Sequence, residues 1–307
     1  MILSVCLSPC IDVNIEVDSL AVGMSHKIIS KRVFFTGKAL NAAIGLARLK
    51  SEVFATGFMY EENGNLFEQE LHREGVPYKF VWCKGRVREN YKFIDNKSML
   101  TEIDDVSPEV DEEKQNELIS VVSNLARQSE AVVLSGSLAR GMSPDYYGKL
   151  LSAIPKNVIK VVDSEGERLF SALKTGVDLV KPNIEELERT LKKPLKTQAE
   201  LLAGCKQLLD LGAKRVLLSM GKKGAIITDG KRNLYSKSVN VAMNSTVGAG
   251  DGMVAAATQA LVSGGSLEDI LKCGVAAGTA AVTSPNSISF GKDKYEEILS
   301  ALTVKEI

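Results

Sequence analysis

The sequence predicts an α/β protein of three layers, with helices on both faces of a mostly parallel sheet and a small antiparallel sheet standing off it as a lid. Two patterns carry this prediction. From about residue 130 onward, short apolar, β-branched runs alternate with amphipathic helical segments, which is typical of a parallel sheet covered on both sides. In the first third, polar and apolar residues alternate with a period of two, as in strands with one wet face.

The parallel part ends its strands in polar loops. Ligands of parallel α/β sheets gather at the carboxyl ends of the strands, and the segments SGS, DSEG, KPN and SMGKKG each fall there. The predicted strands are 131–136, 158–164, 178–183 and 215–221, and the predicted helices between them are 143–153, 166–174, 184–192 and 197–211. An extended stretch at 224–241 then precedes two helices rich in small residues, 249–263 and 267–283.

The first third predicts the lid. The segments IDVNIEVDSL, KIISKRVFF, ENYKFID and SMLTEID have the period of two, and IDNKSM between the last two is typical of a hairpin turn. We expect a lid formed by segments of about 11–18, 27–36 and 86–104, over the strand ends of a single domain that spans residues 1–307.

Composition argues against several classes of protein. Of 307 residues, 45% are hydrophobic and 25% are charged, as in ordinary globular chains. Lys plus Arg and Asp plus Glu both number 38, and this zero net charge argues against a nucleic-acid partner. With two histidines and five scattered cysteines, a histidine-rich metal site or a Ser-His-Asp triad is disfavoured. No stretch reaches the roughly 18–20 apolar residues of a membrane span, so we expect a cytoplasmic protein with no membrane partner.

The run NSTVGAGDGM (244–253) places small residues and an aspartate at the start of a predicted helix. The backbone amides of Gly248, Ala249 and Gly250 would form an anion site at a helix N-terminus. Asp251 beside them suits a phosphoryl group in transfer, as the base that accepts a hydroxyl proton. The alternative is that Asp251 only caps the helix, and composition does not choose between the two. Neither a P-loop nor a G-x-G-x-x-G motif is present, which disfavours P-loop NTPases and standard dinucleotide enzymes.

Several motifs, in the same order, resemble those of the PfkB/ribokinase-type carbohydrate kinases. SPCIDVN resembles the opening strand of that family with its Asp-x-Asn, TGKALNAAIGLARL its G-G-K-G-x-N motif, and SGSLARG its S-G-S-L-P-x-G. KPNIEEL resembles its N-x-x-E motif, SMGKKGAI its nucleotide loop, and NSTVGAGDGM its G-A-G-D motif. The resemblance implies a ribokinase-like fold, ATP and Mg²⁺ as cofactors, and a homodimer formed through the lid.

One branch of that family is resembled in particular. Lys38 in TGK, Arg88 and Asn90 in VREN, and asparagine at 244 resemble the branch acting on ketohexose phosphates, such as 1-phosphofructokinase and tagatose-6-phosphate kinase. A phosphorylated substrate needs local cations, since each charge-assisted hydrogen bond contributes roughly 1.5–3 kcal/mol; the alternative for Lys38 and Arg88 is a solvated surface pair. The expected reaction is ATP-dependent phosphorylation of a sugar phosphate, such as fructose 1-phosphate to fructose 1,6-bisphosphate. The alternatives are a kinase of an unphosphorylated sugar or nucleoside, and a non-catalytic regulator that binds sugar phosphate or nucleotide.

The resemblance also implies roles for individual residues. Asp251 would be the catalytic base, with the amides of Gly248, Ala249 and Gly250 as the anion hole. The sugar phosphate would be bound by Asp12, Asn14, Gly37, Lys38, Asn41, Arg88, Asn90 and Ser137. The nucleotide would be bound by Lys181, Asn183, Ser219, Gly221, Gly224 and Asn286. Asn183 and Glu186 would orient Mg²⁺ through water, or else form an N-cap with a first-turn acid.

Four positions depart from the family pattern. Thr36 and Ala39 stand where the family has glycines, Gly252 where it has Ser or Thr, and Ala139 where it has proline. None of the four removes a catalytic group, so the kinase chemistry is expected to be kept. Glycine permits close approach of the backbone, and Thr36 and Ala39 are therefore expected to reshape the sugar pocket.

Overall fold

The computed structural model describes residues 1–242, 244, 247–284 and 290–307. The strands in chain order are β1 (Ile2–Cys6), β2 (Cys10–Val17), β3 (Ile28–Thr36), β4 (Val53–Tyr60), β5 (Tyr78–Cys83), β6 (Arg88–Ile94), β7 (Leu100–Asp104), β8 (Ala131–Ser135), β9 (Ile159–Asp163), β10 (Leu179–Val180), β11 (Val216–Ser219), β12 (Ala225–Thr228), β13 (Asn233–Ser236) and β14 (Val304–Glu306). The helices are α1 (Lys38–Arg48), α2 (Asn65–Arg73), α3 (Glu112–Ala126), α4 (Tyr146–Ser152), α5 (Gly166–Leu173), α6 (Ile184–Leu191), α7 (Gln198–Asp210), α8 (Ala249–Val262), α9 (Leu267–Ala281) and α10 (Lys292–Ala301).

The large sheet has the order β14-β13-β12-β11-β10-β9-β8-β1-β4-β5. Neighbours from β5 to β11 are parallel, because a helix returns the chain to the same edge between successive strands of this part. From β11 to β14 the neighbours are antiparallel. Every residue of β1 and β8 is buried, as expected for central strands covered on both faces.

The helices form two groups, one on each side of the sheet. Helices α8, α1, α9 and α10 contact one another in one group, and α3 to α7 contact their neighbours in the other. Members of both groups, such as α1 and α3, contact β1 and β4. The predicted three-layer α/β fold is therefore confirmed. No helix among the described residues is both long and apolar enough to cross a membrane.

The small sheet has the order β3-β2-β6-β7, and its strands coincide with the segments predicted for the lid. The pairs β2–β3 and β6–β7 are antiparallel, as predicted, whereas the central pair β2–β6 is parallel. The parallel pairing follows from the large sheet. Strands β1 and β5 run in the same direction there, and β2 and β6 each leave one of them at its carboxyl end, so both enter the small sheet in the same sense. We keep the name lid sheet for these four strands.

Candidate active site

A cavity of about 1070 Å³ lies between the carboxyl ends of the central strands and the lid sheet. It brings together most of the residues predicted from the sequence, which are Asp12, Gly37, Lys38, Asn41, Arg88, Asn90, Ser137, Lys181, Asn183, Glu186, Ser219, Gly221, Gly224, Gly248, Ala249, Gly250 and Asp251. Asn14 lies two residues farther along β2 than Asp12 and does not line this cavity. The predicted Asn286 lies outside the described residues.

The N-terminus of α8 forms one wall of the cavity. Gly248, with a φ of 81°, turns the chain into the helix, and within the described part of the chain no side chain caps this end. Asp251 follows in the first turn and is only 7% exposed. Its Oδ2 accepts a hydrogen bond of 2.7 Å from Nδ2 of Asn41 instead of bonding the helix backbone. This geometry disfavours the interpretation of Asp251 as a cap, and Gly248, Ala249 and Gly250 line the cavity beside it.

Burial sets the protonation of Asp251. Removal from water raises the pKa of the carboxyl group to about 6, while Lys38 and the hydrogen bond from Asn41 act in the opposite direction. Asn41 lies in the first turn of α1, and its own Oδ1 is buried and accepts no hydrogen bond from the described residues. A buried amide oxygen without a donor is costly, and a hydroxyl group bound beside Asp251 would supply one.

A carboxylate that was not predicted from the sequence lies at the floor of the cavity. Asp163, 1% exposed, is the last residue of β9, and its two oxygens lie 3.2 Å from Nζ of Lys181 and 3.4 Å from Nζ of Lys38. Ser135 also donates a hydrogen bond of 3.0 Å to it. Burial opposes its ionisation, but the two lysines hold the pKa of Asp163 below its ordinary value. Its place at the carboxyl end of an apolar strand, next to the other strand ends, was the signal that could have identified it.

Lys38 is held in place by acids. Asp163 is the main reason that the pKa of Lys38 lies well above its ordinary value, against the effect of burial, and Glu186 adds to it with an Oε1 at 3.1 Å. The alternative interpretation of a solvated pair of Lys38 and Arg88 is disfavoured, because these acids lie around Lys38 at the cavity wall. A lysine so paired keeps its positive charge over the whole working range of pH.

Asn183 and Glu186 cap helix α6. The side chain of Asn183 accepts from the backbone N–H of Glu186 at 2.7 Å, and Glu186 Oε2 accepts from the N–H of Asn183 at 2.8 Å. The alternative of an N-cap with a first-turn acid is therefore present in the structure. It does not exclude metal binding, because both side chains also line the cavity. No cluster of three or more acidic, His or Cys ligands exists among the described residues. Few carboxylates suit a hard cation that keeps several waters and binds substrate phosphates.

The lid side of the cavity is built around Asp12. This carboxylate is 5% exposed and accepts hydrogen bonds of 3.3 Å each from Thr36, Asn90 and Lys92. Arg88 donates from Nη1 to Asn90 Oδ1 at 3.2 Å. Lys92 was not predicted, although side chains two residues apart share one face of a strand and positions 88 and 90 already pointed to that face. The lid sheet thus places one cation, Lys92, on the buried acid and a second, Arg88, on the asparagine bonded to that acid.

The nucleotide loop predicted after β11 also lies at the cavity. Ser219, Gly221 and Gly224 line it, and Ser219 forms an isolated bridge with Asn183 across the strand ends. Gly224 has a φ of 91°, and a side chain there would overlap the Ser236 carbonyl group. Only glycine fits this position, and the loop can therefore present bare backbone.

Comparison with known proteins decides the family. The model of the pfkB family of carbohydrate kinases matches residues 1–294. The chain belongs to this family. It is similar to the 1-phosphofructokinase of Borreliella burgdorferi (31% identical, with 100% of this chain and 99% of the relative covered). It is also similar to the tagatose-6-phosphate kinase of Staphylococcus epidermidis (26% identical, with 100% of both covered).

A solved structure shows the same architecture. The kinase is similar to phosphofructokinase-2 from Escherichia coli in complex with fructose-6-phosphate, with 27% identity, 98% of both chains covered and a TM-score of 0.88. Together these comparisons identify an ATP-dependent sugar kinase. A kinase of this family uses ATP and generally needs a metal ion.

Two of the departures from the family pattern have a visible structural reason. A Cβ atom on Gly252 would lie 3.1 Å from the ring of Phe290, which is fully buried, so this ring fills the space of the usual Ser or Thr. Thr36 directs its hydroxyl to Asp12 and to the backbone oxygen of Cys10. Thr36 therefore adds a polar contact on the lid side of the cavity of this kinase.

The raised pKa of Asp251 predicts a gain in stability on its removal. In the folded state the pKa of this acid is about 6, above the ordinary 3.8. The free energy of unfolding therefore falls as the pH rises from about 4 to about 6, and the loss is complete above that range. Asp251→Asn should raise the free energy of unfolding at pH 8 by up to about 3 kcal/mol, and the gain should vanish near pH 4. Urea denaturation at both pH values measures this. The exposed Asp210 supplies a matched control (Asp210→Asn), and a loss of stability at pH 8 in Asp251→Asn would contradict the prediction.

Proposed function

We propose that the kinase transfers the γ-phosphoryl group of ATP to a ketohexose phosphate. Fructose 1-phosphate, giving fructose 1,6-bisphosphate, is the first candidate, and tagatose 6-phosphate is the second. The observation that carries the proposal is the set of cations Lys38, Arg88 and Lys92 in the cavity that also holds Asp251. A neutral sugar or a nucleoside needs no such charge at its own binding site, whereas a phosphate monoester does. The names of the two curated relatives support the same substrate class.

Asp251 is the proposed catalytic base. Its carboxylate accepts the proton of the acceptor hydroxyl group while the hydroxyl oxygen forms a bond to the γ-phosphorus. The bond from that phosphorus to the bridging oxygen breaks, and ADP leaves with the electron pair. Asn41 orients Oδ2 of Asp251 through its 2.7 Å hydrogen bond, and we assign the other oxygen to the acceptor. The amides of Gly248, Ala249 and Gly250 stabilise negative charge that develops on the transferring group.

Cations and polar groups position the two substrates. Lys181 lies close to the helix start, since a Cβ on Gly250 would be 3.5 Å from its Nζ, and we assign it to the nucleotide phosphates. Asn183 and Glu186 would hold Mg²⁺ through water, and this ion would neutralise phosphate charge. Asp12, Asn90 and Ser137 bind sugar hydroxyl groups in this proposal, and Arg88 with Lys38 binds the phosphate of the sugar.

The substrate class is tested by one coupled ADP-release assay. Fructose 1-phosphate, tagatose 6-phosphate, fructose 6-phosphate, free sugars and nucleosides are compared at equal enzyme concentration. We expect the highest kcat/KM with a sugar phosphate, because the cations of the cavity favour an anionic acceptor. Activity confined to free sugars or nucleosides would contradict the proposal. Thermal stabilisation by the same ligands without ADP release would support a non-catalytic regulator instead.

The role of Asp251 predicts a pH profile. Because burial raises its pKa to about 6, the base is protonated below that pH, and kcat should rise with pH through about 6 and then level off. Asp251→Asn should lower kcat by at least about 100-fold and remove the rise. A sugar phosphate itself titrates near pH 6, so kcat is measured at saturating substrate. A variant that keeps near-normal turnover would eliminate Asp251 as the base, and Asp210→Asn is expected to keep the wild-type profile.

We also propose that the kinase is a homodimer formed through the lid sheet. The apolar side chains Ile28, Ile29, Leu100 and Ile103 of β3 and β7 are 54–66% exposed. Exposed apolar side chains on both edge strands of one small sheet favour an association surface there, and a symmetric dimer would cover the lid sheet of both copies. Light scattering should give a mass twice that of one chain, which is 33.1 kDa, and Ile103→Asp should lower the measured mass toward that of one chain. A wild-type mass of one chain at micromolar concentration would contradict the dimer.

A further inference from the structure

The short crossing from the large sheet to the lid sheet is tied to a neighbouring turn. The chain leaves β5 at Cys83 and enters β6 at Arg88. The turn that follows β4 lies alongside this crossing, and its backbone N–H groups at Glu61 and Glu62 donate to the carbonyl oxygens of Cys83 and Gly85, at 3.1 Å each. The crossing from β5 to β6 is thus hydrogen-bonded to this turn at alternate residues, Cys83 and Gly85, and the next residue in this series is Val87, directly before Arg88.

At Val87 the hydrogen bonds come from a side chain, that of Asn63, and we call this pair of bonds the Asn63 clamp. Asn63 Oδ1 accepts from the backbone N–H of Val87 at 2.7 Å, and Asn63 Nδ2 donates to the backbone oxygen of Val87 at 3.3 Å. One amide therefore holds both polar groups of one buried residue. The turn that carries Asn63 cannot move freely, because a Cβ on Gly64 would already lie 2.5 Å from the backbone oxygen of Tyr60 and 2.8 Å from the Trp82 ring.

Arg88 is the residue directly after this clamp. Its Nε is buried and has no hydrogen-bond partner among the described residues, and its Nη1 donates to Oδ1 of Asn90, whose Nδ2 is in turn bonded to Asp12. The position of the guanidinium group therefore depends on this one hydrogen bond and on the backbone from which the side chain extends. A small rotation of the Val87 peptide groups would displace its tip at the cavity wall.

We propose that Asn63 is a positioning residue for the sugar phosphate, acting through the backbone of Val87 on Arg88. The inference rests on the proposed contact of Arg88 with the phosphate. It assigns specificity for an anionic acceptor to a side chain outside the cavity, because Asn63 does not line it. Transfer chemistry at α8 is not involved, so the effect belongs to substrate binding and not to turnover.

Kinetics of three variants at position 63 test this. Asn63→Ala should raise KM for the sugar phosphate by roughly 5- to 20-fold, with KM for ATP and kcat within about 2-fold of wild type. Asn63→Asp keeps the acceptor for Val87 N–H and should recover most of the affinity. Asn63→Gln keeps both polar groups on a longer side chain and should raise KM as Asn63→Ala does. It replaces Asn63→Ala in the test if the alanine variant does not fold. Asn96→Ala is the matched control: it removes a side-chain hydrogen bond to Asp18 elsewhere in the lid and should leave KM unchanged.

A double-mutant cycle with Arg88→Ala shows whether Asn63 acts through Arg88. In the Arg88→Ala background, Asn63→Ala should add less than about 2-fold to KM, since the two substitutions remove the same contact. If Arg88→Ala raises KM but Asn63→Ala is silent, changes only the melting temperature, or multiplies the effect in the double variant, the positioning role is wrong and the proposed function stands. If Arg88→Ala itself leaves KM for the sugar phosphate unchanged, the phosphate site of the proposed function is wrong, and the inference fails with it.

Discussion

The electrostatics of the cavity depend on one buried carboxylate, Asp163. Two lysines lie beside it: Lys181 is only 3% exposed, so that its charge would be costly without a partner, whereas Lys38 is 42% exposed at the cavity wall. Asp163 lies between them with an oxygen within 3.4 Å of each ammonium group. It therefore pairs with both lysines in the absence of a substrate, and it raises the pKa of Lys38. Two lysines are thus held at fixed positions in the cavity before any substrate binds.

The same cluster limits how strongly Asp251 can be perturbed. Burial alone favours the neutral acid, and the negative charge of Asp163 acts in the same direction, while Lys38, Asn41 and Lys181 favour the carboxylate. The result is a pKa of about 6. A carboxyl group with this pKa is ionised at neutral pH and is still basic enough to accept a proton. A base that is more fully paired would be more stable and weaker. The instability of an incompletely paired buried acid is thus the physical counterpart of its proposed reactivity.

Much of the fold followed from periodicity, and what did not follow depended on contacts between distant residues. The buried runs 131–136 and 158–164 became β8 and β9, and the period-two segments became the lid strands. The parallel pair β2–β6 could not be predicted, because it depends on the relative direction of β1 and β5. Sequence resemblance located Asp251 and Lys38, but the pairing of Lys38 with Asp163 joins two segments far apart in the chain. The Asn63 clamp on Val87 has no local signal at all, since a turn asparagine is common for other reasons.

The structure divides the candidate site into two parts with separate supports. The groups proposed for transfer, Asp251 and the first amides of α8, are held by helix packing against α1 and α9 in the main body. Three of the groups proposed to bind the sugar phosphate, Asp12, Arg88 and Asn90, belong to the lid strands β2 and β6. Lys38 is the link between them, because it lies at the start of α1, directly after the lid strand that ends at Thr36. In this proposal, substitutions in the lid can change which acceptor is bound while the transfer groups stay in place. Thr36 is an example, because it contacts Asp12 in the lid while Asp251 keeps its hydrogen bond from Asn41.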